Sequence, residues 1–152
     1  MNEFRPFEDK LAGLIASLSP AARRRMTAEI AKQLRASQQQ RIKRQQAPDG
    51  TPYATRKRQP VKGKKGRVKR EMFTKLRTNR YMKAKGTNEA ALVEFTGRVQ
   101  RIARVHQEGL KDKPGRNQKE VVYSPRVLLG ISRDDEYLMT KLIVEAFARR
   151  ID

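Results

Sequence analysis

The sequence predicts an α+β fold: an N-terminal helical hairpin, a small antiparallel sheet packed by helices, a C-terminal helix, and a long basic loop or arm. Three observations carry this reading. Apolar residues recur at spacings of three and four in 4–34 and again in 138–147. Short apolar runs suited to strands lie at 90–95 and 120–124. From Arg41 to Lys85, 17 residues are Lys or Arg and only Asp49 and Glu71 are acidic, so +15 of the formal +20 falls in 45 of 152 residues. Charge this dense repels itself and opposes compaction. The length predicts one domain, 1–152, with 38–70 as a basic, apolar-poor arm or loop projecting from it.

The elements follow in order. Phe4, Phe7, Leu11, Leu14, Ile15 and Leu18 form one helical stripe. Ser19 as N-cap and Pro20 at the first position open a second helix, with Ala22, Met26, Ile30 and Leu34 on one face. Its continuation, SQQQRIKRQQ, keeps good helix formers but almost no apolar face beyond Ile42, which predicts an exposed rod fraying near Gln46. Pro48-Asp49-Gly50 is a turn: Pro fixes φ, Asp bonds nearby backbone, and Gly accepts positive φ. Pro52 and Pro60 forbid helix, and VKGKKGRVKR reads as a flexible loop. Met72, Phe73, Leu76 and Tyr81 suggest a short helix. A strand over 90–95 ends at Gly97. Val99, Ile102, Ala103 and His106 fit a helix stopped by Gly109. A loop over 111–119 and a brief strand at 120–124 follow. Ser132 caps the last helix, with Asp134, Asp135 and Glu136 in the first turn where the dipole favours them. Leu138, Leu142, Ile143, Ala146 and Phe147 form its buried stripe.

The chemistry-bearing residues are few. Cysteine is absent, which excludes disulfides, thiolate chemistry and Cys-based zinc sites. His106 is the single histidine and lacks the nucleophile, orienting partner or further ligands that catalysis or metal binding needs. A structural His bridging elements is the reading. The acidic run 134–136 is explained by the helix start, and the glycines form no phosphate loop. No enzyme, cofactor or metal is expected. Charged residues interrupt the N-terminal apolar positions, and no run reaches a membrane span, so synthesis in the cytosol and no membrane contact are expected.

The candidate electrostatic contacts are Arg41, Lys43, Arg44, Arg56, Lys57, Arg58, Lys62, Lys64, Lys65, Arg67, Lys69 and Arg70, facing nucleic-acid phosphate or an acidic protein. Only Tyr53, Phe73 and Tyr81 interleave with them, too sparse for base stacking. Asp49, Gly50, His106, Gly109, Arg126 and Gly130 are the candidate structural positions. SPRVLLGIS, 124–132, reads as a linker packing Leu128, Leu129 and Ile131 into the core. Arg126, alone among apolar neighbours, needs a carboxylate or backbone carbonyls.

The ordered blocks RIKRQQAPDGTPY, IARVHQEG and PRVLLGIS, with MFTKL between the first two, resemble the phage virion morphogenesis family, the tail completion proteins of temperate contractile-tailed bacteriophages. The matching blocks span roughly 25–147, with 61–70 and the first helix matching least well. The resemblance implies a non-enzymatic structural protein of the virion neck, assembled in the host cytoplasm. It implies a homo-oligomeric, sixfold ring closing the head-proximal end of the tail. Its neighbours would be connector or head completion proteins and tail terminator, tube or sheath proteins. The basic arm would then meet lumenal DNA or an acidic neighbour. The alternative from charge alone is a basic, non-sequence-specific nucleic-acid-binding protein.

Overall fold

The computed structural model describes residues 5–56 and 71–151. Within them the order is α1 (Arg5–Ala16), α2 (Pro20–Lys43), β1 (Met82–Gly86), β2 (Ala91–Phe95), α3 (Gly97–Glu108), β3 (Lys111–Asp112), β4 (Val121–Val122) and α4 (Arg133–Ile151). β1 pairs with β2, and β3 pairs antiparallel with β4, so the strands form two separate two-stranded sheets. Helices with small sheets make this the α+β fold that the patterning predicts. The residues gather into two compact units.

The first unit comprises Met1–Ala36, Lys83–Glu94 and Ser132–Asp152. Leu18, Met26, Ile30, Leu34 and Leu142 are its buried core, with Ala91 and Val93 of β2 and Leu138, Ile143 and Ala146 of α4 packed against them. The helix starts behave as their sequences require. Ser19 Oγ accepts the Ala22 amide at 3.1 Å, satisfying a donor that has no partner inside the helix. At α4 the Asp135 amide donates to Ser132 Oγ and the Ser132 amide donates to Asp135 Oδ2, both at 3.0 Å. This reciprocal cap uses Asp where Glu is usual, and it accounts for the burial of Asp135. The β1–β2 hairpin is tied to α2 by Thr27 Oγ1, which donates to the Thr87 carbonyl at 2.5 Å.

The second unit comprises Ser37–Met82 and Phe95–Ile131. Ile42, Met82 and Leu128 are fully enclosed, and Tyr53, Phe95, Val99, Ala103 and Val105 are buried with them. α3 ends as predicted at Gly109, whose φ of 68° places it in the left-handed region that glycine occupies without strain.

Several expectations are corrected here. α2 ends near the expected point but is no exposed rod, because Gln38, Arg41 and Ile42 are buried. Beyond it the Ala47 amide donates to the Thr51 carbonyl and the Tyr53 amide to the Gln45 carbonyl. The chain through Tyr53 therefore folds back into the unit and does not project. The rest of the expected arm, 57–70, lies outside the described residues, as does Phe4. Residues 74–81 form turns, not a helix: Phe73 has φ of 66°, which no helix interior accommodates. Ile131 is 51% exposed and not in the core, because Ser132 next to it is committed to capping α4.

Candidate functional site

Residues 126–130 belong to no helix or strand, yet most of their backbone amides and carbonyls are bonded. A buried amide or carbonyl without a partner is costly, and this stretch finds partners in side chains. Gln107 Oε1 accepts the amides of Leu128 and Leu129, both at 3.0 Å, and its Nε2 donates to the Leu129 carbonyl at 2.8 Å. Arg41 donates to the Leu128 carbonyl at 3.1 Å, and Tyr53 Oη to the Val127 carbonyl at 2.9 Å. Gln38 Oε1 accepts the Gly130 amide at 3.1 Å and also a guanidinium N–H of Arg41. The Arg126 amide reaches the His106 carbonyl at 2.8 Å. Three parts of the chain thus act as one clamp: the end of α2, the end of α3 and residues 53–55.

Arg126 is held by the second of its two expected partner types. Its Nε donates to the Ala54 carbonyl at 2.9 Å and its guanidinium to that of Thr55 at 3.3 Å. Burial, and then the nearby charge of Arg56, lowers its pKa from the usual value, although an arginine remains a cation. Burial pushes the Tyr53 hydroxyl up to about 12, with Arg41 acting in the opposite sense.

His106 sits in a chain of edge-to-face rings. Its centroid is 5.0 Å from Phe73 and 4.8 Å from Tyr123, and Phe73 in turn is 5.7 Å from Tyr53. Burial chiefly, and the charge of Arg126 next, lowers its pKa, while Asp112 works the other way. The rings of Phe73 and Tyr123 that meet it are packing groups. Among the described residues no group of three His, Asp or Glu could hold a metal, and no helix is long and apolar enough to cross a membrane.

The turn residues perform the expected work. Asp49 Oδ1 accepts the Thr51 amide at 2.9 Å, a bond that lowers the carboxyl's pKa, and Gly50 has φ of 88°. A Cβ on Gly130 would stand 2.5 Å from Pro48 Cγ, so this turn lies directly against the clamped segment. The candidate contacts separate. Lys43, Arg44 and Arg56 are exposed, whereas Arg41 is buried in the clamp and is corrected from surface contact to internal tie. Lys57, Arg58, Lys62, Lys64, Lys65, Arg67, Lys69 and Arg70 lie outside the described residues.

Gln38, Tyr53 and Gln107 are the members that the sequence does not single out. Their signal is one of accounting: an apolar run bracketed by Pro125 and Gly130 has no ladder, so polar residues elsewhere must bond it. Which ones depends on contacts up to 92 residues apart.

The chain matches the phage virion morphogenesis family over residues 2–148. It belongs to that family. It is also 49% identical to tail completion protein S of Escherichia phage P2, over 150 residues that cover 98% of this chain and all of the relative. No solved structure matches it. The phage virion morphogenesis blocks now have a physical content. RIKRQQAPDGTPY supplies Arg41 and Tyr53, IARVHQEG supplies Gln107, and PRVLLGIS is what they hold. The blocks that carry the resemblance meet in one clamp.

Charge in this family member divides sharply between the units. The first has 13 basic and 11 acidic residues and the second has 23 and 5, so 18 of the formal +20 belongs to the second.

Proposed function

We propose that this protein is a tail completion protein, a non-enzymatic virion component acting late in assembly at the head–tail junction. It forms a homo-oligomeric ring, sixfold by the family resemblance, that closes the head-proximal end of the tail and lets the head join. Its partners are the connector or head completion proteins on one side and the tail terminator and tube proteins on the other. The exposed basic residues of the second unit face lumenal DNA or an acidic neighbour. The observation that carries this reading is near-full-length identity of 49% to a relative named tail completion protein S. The site chemistry agrees with it: the polar side chains of the clamp bond to backbone and hold a shape.

Electron microscopy of lysates lacking the protein tests the proposal. Separate heads and tails, with tails of abnormal length among them, are the expected result. Joined, infectious particles at normal yield would overturn it.

A further inference from the structure

A second concentration of positive charge lies on α3 and the β3–β4 loop. α3 buries Val99, Ala103 and Val105, while its Arg98, Arg101 and Arg104 are all exposed. Arg101, 80% exposed, reaches Asp112 Oδ1 at 2.7 Å, which fixes the end of β3 beside this helix. The β3–β4 loop leads on from there, turned by a bond from the Gln118 amide to the Gly115 carbonyl at 3.1 Å. It carries Lys113, Arg116 and Lys119, all exposed. The acids nearby are few, and two of them, Asp112 and Glu108, are already paired with Arg101 and Arg104. Among the described residues Arg98, Lys113, Arg116 and Lys119 have no ion-pair partner, lie outside the core and repel one another, so they cost stability without an internal return. Their use is toward a partner.

The partner's chemistry follows from where the aromatics point. Tyr53, Phe73 and Tyr123 of this unit stack inward with His106. Single-stranded nucleic acid is bound on exposed aromatic platforms, and protein interfaces draw much of their energy from aromatic anchors at a buried centre. Beside the exposed aliphatic Ile102 of α3, this surface offers guanidinium and ammonium groups in place of either. We propose that α3 and the β3–β4 loop bind the phosphate backbone of duplex DNA without reading its sequence. The proposal concerns the isolated protein and does not depend on a ring or on head–tail joining.

Binding of the full chain to a mixed-sequence duplex of about 30 base pairs, followed against salt, tests it, because each phosphate contact contributes about −0.9 to the slope of log K on log salt. Replacing Lys113, Arg116 and Lys119 with Gln, none of which is bonded to the fold by a side chain in this surface, should reduce the slope by about two to three. Adding Arg98→Gln, Arg101→Gln and Arg104→Gln should reduce it by about five in all and weaken binding more than tenfold. Substituting the exposed Arg24, Arg25 and Lys32 of the first unit should leave the slope unchanged. An unchanged slope in the loop variant would overturn the proposal, as would an equal fall in the first-unit variant. So would a variant that loses binding to poly-glutamate while keeping its duplex affinity, which would assign the surface to an acidic protein.

Discussion

Gly86 and Ala28 meet backbone to backbone: a Cβ on Gly86 would stand 2.2 Å from the Ala28 nitrogen and 2.5 Å from its α-carbon. The hairpin can lie on α2, and Thr27 can reach the Thr87 carbonyl, only because position 86 has no side chain. Gly86→Ala should therefore lower stability by about 1–3 kcal/mol, the usual cost of overpacking. Gly13→Ala on α1 meets nothing within 4 Å and should instead raise it by about 0.5–1 kcal/mol through helix propensity. Urea unfolding of the pair is the check, and opposite signs are the expected outcome.

Gln107→Ala strands two amides and a carbonyl of the clamped segment. A loss of about 1–3 kcal/mol per stranded buried group is expected, moderated where water enters. Amide exchange gives the local reading: Leu128 and Leu129 should lose protection before the α3 amides do.

Leu128 and Leu142 belong to the cores of different units. Truncating either to Ala should cost roughly 2–5 kcal/mol, because burial is lost and a cavity remains. Ile131→Ala, at an exposed site, should stay within about 0.5 kcal/mol. Thermal melts of the three variants test the assignment.

His106 makes stability depend on pH. Its folded pKa lies below the ordinary value near 6.5, so the unfolded chain takes up its proton first. The contribution is complete above about pH 6.5 and is lost as pH falls through the folded pKa. Tm should decline as pH is lowered from 7 toward 5, and His106→Phe, which keeps a ring between Phe73 and Tyr123, should flatten that decline.

Replacing Lys62, Lys64, Lys65, Arg67, Lys69 and Arg70 with Gln tests the basic segment separately. Removal of six like charges should leave Tm unchanged or slightly raised, while particle yield should fall. Wild-type yield from this variant would make the segment a solubility device.

What the sequence made legible is largely what is local. Ser19, Gly109 and the Ser132 cap each act within about four residues, and all three mark helix ends in the structure. The turn at Asp49 and Gly50 is equally self-contained. The strand Met82–Gly86, MKAKG, alternates Met82 and Ala84 with two lysines, a signal too short and too basic to mark a strand before its pairing with Ala91–Phe95 is known. The turns at 74–81 defeat a helical spacing because Phe73 joins the ring stack with a left-handed backbone. Arg126 showed that it needed oxygen partners, but Ala54 and Thr55, some 70 residues away, could not be read from its neighbours.

The reach of the clamp also sets a timetable for the newborn chain. Arg41 must wait for Leu128, 87 residues later, and Gln38 for Gly130, 92 later. At about 5–20 residues per second on the ribosome, that is roughly 4–18 s. Through that interval the end of α2 holds a buried-type arginine and glutamine with no backbone to close on. The final quarter of the sequence therefore completes the second unit, and a chain cut short before Leu128 carries the charge of the whole protein without the strap that fastens it.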